Sequence, residues 1–449
     1  MNTPIIDFVE KYNKQKNIRF HMPGHKGKKF LGCESADITE IYGADSLYEA
    51  EGIIEQSENN ASRLFGFGKT LYSTEGSSQC LRAMLYLAML DATQKGKNSH
   101  NIIAVRNVHK AFIHACALLD LSVEWLYPSD NESSLLSCKI TAEDVKVALQ
   151  KVESKPFALY LTAPDYTGYS DNIAEIAKIC DKYDVPLLVD NAHGAYLKFL
   201  RPSRHPLDLG AYMSCDSAHK TLPVLTGGAY LQLSEKVPLQ IISQAKNALS
   251  LFGSTSPSYL ILQSLDLCNR YLDNNYQDKL QLFIEKVTKA KDKLKLFGWD
   301  IKNSDPLKII INPLSKGYTG TEIADILRSE HIECEFADFE SIILMVTPEN
   351  SIDDITKLKN ALLLPQKSQI VYSPCAKISH GTYKMSIREA FFHNHETINT
   401  NDALGKICAS PTVSCPPAVP IAISGELITA EHIKLMNSYG IKQIEIIAE

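Results

Sequence analysis

No stretch of the sequence approaches the roughly 18–20 consecutive apolar residues needed to span a bilayer. The opening residues, MNTPIIDFVEKYNKQKNIRF, also lack the apolar centre of a signal peptide. Neither a membrane span nor a secretory leader is expected, and the cytoplasm is the expected compartment. A basic excess is missing too. With 46 Lys and Arg against 52 Asp and Glu the net charge is −6, which argues against a phosphate-gripping nucleic-acid surface. The 11 cysteines are scattered singly, with no C-x-x-C pair and no zinc spacing, the pattern of thiols kept reduced. There is no H-E-x-x-H. His21 and His25 are four apart, but HMPGH contains proline and glycine, so no helix presents both on one face and no metal site is expected. Internal repeats and low-complexity segments are absent.

What remains is an ordinary globular composition, 45% hydrophobic and 22% charged, in a chain of 449 residues, too long for one simple core. Strand-like apolar runs at 101–105, 157–163, 186–190, 211–216 and 228–233 are interleaved, in their earlier part, with helical patterns. Thr141 followed by Asp144 is close to a capping box for TAEDVKVALQKV. In DNIAEIAKICDKYD, with Asp171 as its first residue, Ile173, Ile176, Ala177 and Cys180 fall on one helical stripe. Strands alternating with helices predict an α/β fold: a large domain with a mostly parallel sheet covered by helices, ligands collecting at the carboxyl ends of the strands. After STSPSY (254–259) the pattern predicts a long helical stretch over roughly 257–297 and a smaller α/β unit, with strands PLKIIIN and SIILMVT and helices near 320–331 and 351–363. The expected division is 1–275 for the N-terminal segment and large domain, 276–365 for the small α/β domain, and 366–449 for a C-terminal subdomain.

Three stretches fall at the ends of large-domain elements. STEGSSQCLRAMLYLAML (73–90) is a small-residue loop entering a helix, where Gly76, Ser77 and Ser78 present N–H groups and hydroxyls suited to a phosphate; taken alone, an ordinary helix cap is the simpler reading. Asp190 ends a buried strand, where a carboxylate needs a partner, whether a ligand, a cap or an ion pair. Lys220 follows another strand, flanked by Ser217 and His219, in an apolar setting that would keep its amine neutral and able to add to a carbonyl. Together the three fit a pyridoxal-phosphate site, with Asp190 holding the pyridine nitrogen protonated. His109, after the strand NIIAV, is placed to lie on the ring's other face.

The motifs FHMPGHKGK (20–28), DITEIYGADSLYEAEG (37–52), RNVHKAF (106–112), DNAHGAY (190–196), SAHKTL (217–222), STSPSY (254–259) and CPPAVPIAISGE (415–426) run in order through most of the chain. Their combination resembles the ornithine/lysine/arginine decarboxylase family, pyridoxal-phosphate enzymes of the aspartate-aminotransferase fold. The resemblance implies that Lys220 is the Schiff-base lysine, Asp190 the pyridinium partner and His109 the stacking histidine. It implies phosphate ligands at Ser77, Ser78, Ser217 and His219, with Thr255 and Ser256 reaching a neighbouring subunit's phosphate. His193 would support the ring's environment, and Lys220 or His219 would reprotonate the substrate. Asp45 and Glu426 sit in family motifs and are candidates for a basic substrate's far end, a surface or structural role being equally open. Arg388 would serve a same-fold aminotransferase or lyase by binding a carboxylate; a non-catalytic cofactor-binding homologue is the rival from another class.

The implied activity is decarboxylation of a basic amino acid, arginine first, then lysine or ornithine, to the amine and CO2 in polyamine synthesis. The implied assembly is a homodimer with shared sites, without the N-terminal receiver-like domain of longer members. Departures from the family pattern occur at Asn191 (usually Glu), Asp165 (commonly Thr), Cys415 (usually Tyr), Ala418 (usually Gly) and Ser424 (usually Pro).

Overall fold

The computed structural model describes residues 1–127, 137–367, 381–413 and 419–448. They form two units, each compact in itself: 1–126, 140–163 and 172–276 in the first, and 127–139, 164–171 and 277–449 in the second.

The first unit is built on seven strands: β1 Lys69–Ser73, β2 Asn101–Val105, β3 Ser122–Leu126, β4 Ala158–Thr162, β5 Leu187–Asp190, β6 Met213–Asp216 and β7 Ala229–Leu233. Their order is β1-β7-β6-β5-β4-β2-β3. The run from β3 through β2, β4 and β5 to β6 is parallel, and β7 is antiparallel to both β6 and β1. β1 therefore points the same way as β6, and the carboxyl ends of six strands lie along one edge. Every residue of β5, β6 and β7 is buried, which is why these strands read as continuous apolar runs rather than alternating ones. Two strands are not evident from the sequence. β1, KTLYS, is polar at both ends, and β3, SVEWL, is an edge strand whose exposure alternates, so neither gives an apolar run.

The helices of this unit are α1 Pro4–Lys14, α2 Ile53–Phe65, α3 Gly76–Gln94, α4 Lys110–Leu119, α5 Ala142–Lys151 and α6 Ile173–Lys182, followed by Tyr259–Asp273 and shorter segments. α3 is buried on nearly all sides, from Gln79 and Cys80 to Asp91 and Ala92, and packs against β6 and β7. α5 carries the expected capping box: Asp144 N–H donates to Thr141 Oγ1 at 3.1 Å and Thr141 N–H to Asp144 Oδ2 at 2.8 Å. α6 buries the expected stripe of Ile173, Ile176, Ala177 and Cys180, but its cap is Asn172, whose side chain accepts from Glu175 N–H. The helix starts after Asp171 because Asn172 supplies the capping oxygen. The expected single stretch over 257–297 is two helices, Tyr259–Asp273 and Tyr276–Leu296, separated where Asn275 takes a left-handed φ of 55°.

The second unit contains an antiparallel sheet of β8 Asp300–Lys302, β9 Lys308–Asn312, β10 Phe336–Ala337 and β11 Ile342–Met345, in the order β10-β11-β9-β8. β9 and β11 are the two runs expected there. Helices Gly320–Ser329 and Ile352–Ala361 each begin with a capping box, Thr319 with Glu322 and Ser351 with Asp354. Toward the C-terminus, strand His395–Asn399 pairs with Gln443–Ile447, and Thr412–Val413 with Ala422–Ile423.

α1 is tied to its unit by a buried carboxylate. Asp266 Oδ2 accepts from Ile5 and Ile6 N–H at 2.9 and 3.1 Å, and its Oδ1 accepts from Ser57 Oγ at 2.6 Å. Burial outweighs these donors and pushes the Asp266 carboxyl up to about 6. A raised carboxyl favours the folded state most below the unfolded value and loses that contribution as pH rises through 6. Urea unfolding at a series of pH values is expected to show the wild type losing roughly 3 kcal/mol relative to Asp266→Asn between about pH 3 and 7. A difference independent of pH would refute it.

Candidate active site

The carboxyl-end edge of the first sheet gathers the candidates. Asp190 is the last residue of β5, Ser217 to Lys220 follow β6, His109 follows β2 by four residues, and the Gly76–Ser78 turn follows β1. Gly227 and Gly228 arrive at the same edge because β7 runs the other way, with Ala229 opposite Ser73 and Tyr230 opposite Asp216. The Gly76 N–H donates to Gly227 O at 2.7 Å, and a Cβ on Gly227 would lie 2.8 Å from the Thr74 carbonyl oxygen, so this turn requires glycine. Gly76 itself has φ +73° at the start of α3.

Asp190 is buried, and its carboxylate is held from three sides. Tyr160 OH donates to Oδ2 at 3.1 Å, Ala192 N–H to Oδ1 at 3.1 Å, and Cys215 Sγ lies 3.6 Å from Oδ1. Burial pushes the Tyr160 phenol and the Cys215 thiol well above their usual ranges, so both stay protonated and donate. Lys220 Nζ lies 3.2 Å from His193 Nε2. His109 caps α4: its Nδ1 accepts from Ala111 N–H at 3.2 Å, which leaves the neutral ring's proton on Nε2. Burial holds His109 below the usual imidazole range, with Asp190 pulling it up and Lys220 pushing it down, so all three groups share one electrostatic neighbourhood. Ser217 Oγ donates to Ser77 Oγ at 2.8 Å, bringing the turn after β6 onto the first turn of α3. His219 directs Nδ1 to Gly228 O at 3.0 Å, and burial lowers it as well.

Comparison with known proteins gives these residues a context. Residues 3–312 match the family described as Orn/Lys/Arg decarboxylase, major domain. The chain belongs to the Orn/Lys/Arg decarboxylase family. It is 29% identical to the arginine decarboxylase of Bacillus subtilis, over 99% of this chain and 94% of that one. It is 30% identical to the arginine decarboxylase of Halalkalibacterium halodurans, over 96% and 92%. The constitutive lysine decarboxylase of E. coli superposes with a TM-score of 0.80 at 17% identity, over 100% of this chain and 82% of that one. The expected α/β fold is thus the family's own.

The remaining candidates lie elsewhere on this family member. Thr255 and Ser256 are exposed on the segment whose Ser254 N–H donates to Glu75 Oε1 at the start of α3. Asp45 serves α2: its carboxylate accepts from the backbone N–H groups of Ser46, Glu51, Gly52, Ile54 and Glu55. Glu426 and Arg388 belong to the second unit. Glu426 is buried and accepts from Ile423 N–H at 2.9 Å, while Arg388 lies over the Phe392 ring at 5.1 Å.

Two departures from the family pattern have local explanations in the second unit. Ser424 donates to the carbonyls of Ala409 and Ser410, which a proline could not do. Asp165 folds its own turn, accepting from Thr167 Oγ1 at 2.8 Å and Tyr169 N–H at 2.9 Å. Cys415 and Ala418 lie outside the described residues. Tyr160 and Cys215 escape sequence reasoning because FALYLTA and AYMSCD read as core strands; only strand register, which sets Cys215 opposite Asp190 and brings the Tyr160 hydroxyl to its carboxylate, gives them a role.

The shared neighbourhood is testable without a ligand. In proton NMR of the apoprotein, His109 is expected to titrate below the usual 6.5. Lys220→Met should raise that midpoint by removing a cation, and Asp190→Asn should lower it by removing an anion. A midpoint indifferent to both substitutions would show that the three side chains do not share a site.

Proposed function

We propose that this protein decarboxylates a basic amino acid with pyridoxal 5'-phosphate, arginine first and then lysine or ornithine, yielding the amine and CO2 for polyamine synthesis in the cytoplasm. The observation that carries the reading is the placement of Lys220, paired with His193, and buried Asp190 at the carboxyl ends of adjacent parallel strands. Full-length similarity to arginine decarboxylases supports the choice of substrate.

The residues present fit the cofactor. The first turn of a 19-residue helix offers the N–H groups of Ser77 and Ser78, and the Ser77–Ser217 hydroxyl pair stands beside it, a cradle for a phosphate dianion. Asp190, buried and served among the described residues by the Tyr160 hydroxyl, the Ala192 N–H and the Cys215 thiol, has room for a protonated ring nitrogen. His109, neutral by burial, presents a flat face to an aromatic ring. His219 would complete the phosphate side, and Lys220 is the amine that would hold the cofactor. When bound, the cofactor supplies an electron sink for the pair left behind as CO2 departs. The chain's own part is orientation and proton handling: Lys220 Nζ, with His193 Nε2 at 3.2 Å behind it, is the group that delivers a proton to the substrate's Cα.

The test is product analysis of the cofactor-loaded protein with arginine, lysine and ornithine supplied separately. CO2 and the matching amine are expected from one of them, and none from Lys220→Ala. A loaded protein that turns over none of the three would end the decarboxylase reading.

A homodimer with shared sites belongs to the same proposal. Between residues 18 and 42, Phe20, Phe30, Leu31 and Tyr42 are 77–105% exposed, and a second copy would cover them. Thr255 and Ser256, also exposed, would reach that copy's phosphate. Sedimentation is expected to give twice the chain mass, with Phe20→Glu and Leu31→Glu together shifting the protein toward monomer and weakening cofactor retention. A wild-type monomer that holds cofactor fully would contradict the shared site.

A further inference from the structure

Two carboxylates end neighbouring parallel strands at the site edge, Asp190 on β5 and Asp216 on β6, and the reading above uses the first alone. Asp216 is fully buried. Its Oδ1 accepts from Asn191 Nδ2 at 2.9 Å and Ser214 Oγ at 3.2 Å. Its Oδ2 lies 2.9 Å from His205 Nε2 and accepts from Gln232 Nε2 at 3.2 Å. His205 Nδ1 accepts from Leu207 N–H at 3.2 Å, so the neutral imidazole carries its proton on Nε2, facing Asp216. Four donors converge on one carboxylate, an arrangement that suits the ionised form.

Asn191 is the counterpart. It is fully buried, its Nδ2 serves Asp216, and its Oδ1 meets no hydrogen-bond partner among the described residues. A Cβ on Gly194 would lie 1.9 Å from that oxygen, so the amide is confined. Asn191 follows Asp190 directly, and its own N–H donates to Cys215 O at 2.9 Å, while the Cys215 thiol touches Asp190. The bond between side chains 191 and 216 therefore closes a clasp across the two strand ends that carry Asp190 and the Ser217–Lys220 turn.

We infer that Asn191 and Asp216 are a matched positioning pair for the cofactor site, Asp216 supplying the anion and Asn191 the donor that keep Asp190 and the Lys220 turn in register. This deepens the cofactor reading and rests on it. It also accounts for the departure at Asn191. A carboxylate at that position would face Asp216 across a dry contact, where two like charges cannot both persist. In this chain the acid ends β6 and the amide stands just past β5.

The titratable groups around the pair are His205, Cys80 from α3, Cys215 from β6, Tyr230 from β7 and Asp190 from β5. Burial pushes both thiols and the phenol up, so they remain neutral across the working range.

The experiment is equilibrium binding of pyridoxal 5'-phosphate to the purified apoproteins of wild type, Asn191→Asp, and the isosteric exchange Asn191→Asp with Asp216→Asn. Each is compared with wild type at the same pH, from about 5.5 to 8.5. Asn191→Asp is expected to bind about tenfold more weakly or worse at the alkaline end and to recover toward the acid end, where one of the facing carboxyls takes a proton and becomes a donor. The exchange restores one donor and one acceptor, so it should bind within about twofold of wild type with no added pH dependence. Should Asn191→Asp fail to fold, the exchange variant still decides. Wild-type-like binding by Asn191→Asp at every pH, or an exchange variant no better than a weakened Asn191→Asp, would overturn the pairing. A wild type that binds no cofactor would remove the cofactor reading itself, a result separate from either.

Discussion

Parallel pairing of β4, β5 and β6 is the constraint on which the rest of the site depends. Parallel strands end on the same edge, so residues far apart in sequence are delivered side by side without any contact being specified between them. Thr162 is registered with Asp190, and Asp190 with Cys215, so the turn that carries Lys220 begins two residues from Asp190's own row. The antiparallel return of β7 brings Gly227 and Gly228 to that edge from the opposite direction and lets the turn before α3 press against them. Sheet geometry sets the distances; hydrogen bonds only refine them.

Within that frame the two buried carboxylates divide the electrostatics. Asp190 is surrounded by weak or single donors, a phenol, one amide and a thiol, and so keeps capacity for a further cation or N–H. Asp216 is saturated by four donors and keeps none. The histidines differ in the same way. His205 is locked by Leu207 N–H on one nitrogen and Asp216 on the other, whereas His193 Nε2 meets the Lys220 amine. Groups with capacity face the site; groups without it build its floor.

Much of this was legible in the sequence, and the reasons are specific. β2 was readable to the residue because NIIAV is a buried run with polar neighbours, and α5 because Thr141 and Asp144 encode their own cap. That Lys220, Asp190, His109 and the Gly76–Ser78 loop meet at one sheet edge could be anticipated because each ends or follows a strand. β1 and β3 were hidden by polar ends and an edge position, and the helix break before Tyr276 by its dependence on one left-handed asparagine. Asp216 and His205 stayed invisible for a different reason. A buried aspartate in DSAHK resembles any strand-end acid until the fold shows which donors surround it. Asp45 illustrates the converse, since its place in a motif says nothing of the five backbone amides it serves.

The glycine pair before β7 has a consequence for how such a site changes over time. A Cβ on Gly227 would strike the Thr74 carbonyl, and one on Gly228 would lie 2.3 Å from Val224 Cγ1. The segment between Lys220 and β7 is therefore fixed in composition at its far end and anchored by Ala218 through the Leu222 N–H at its near end. The restriction is confined to that far end, since Pro223, Leu225 and Thr226 face solvent. Lys220 is thereby held on a short tether, closed by a hydrogen bond at one end and by a glycine pair that admits no side chain at the other.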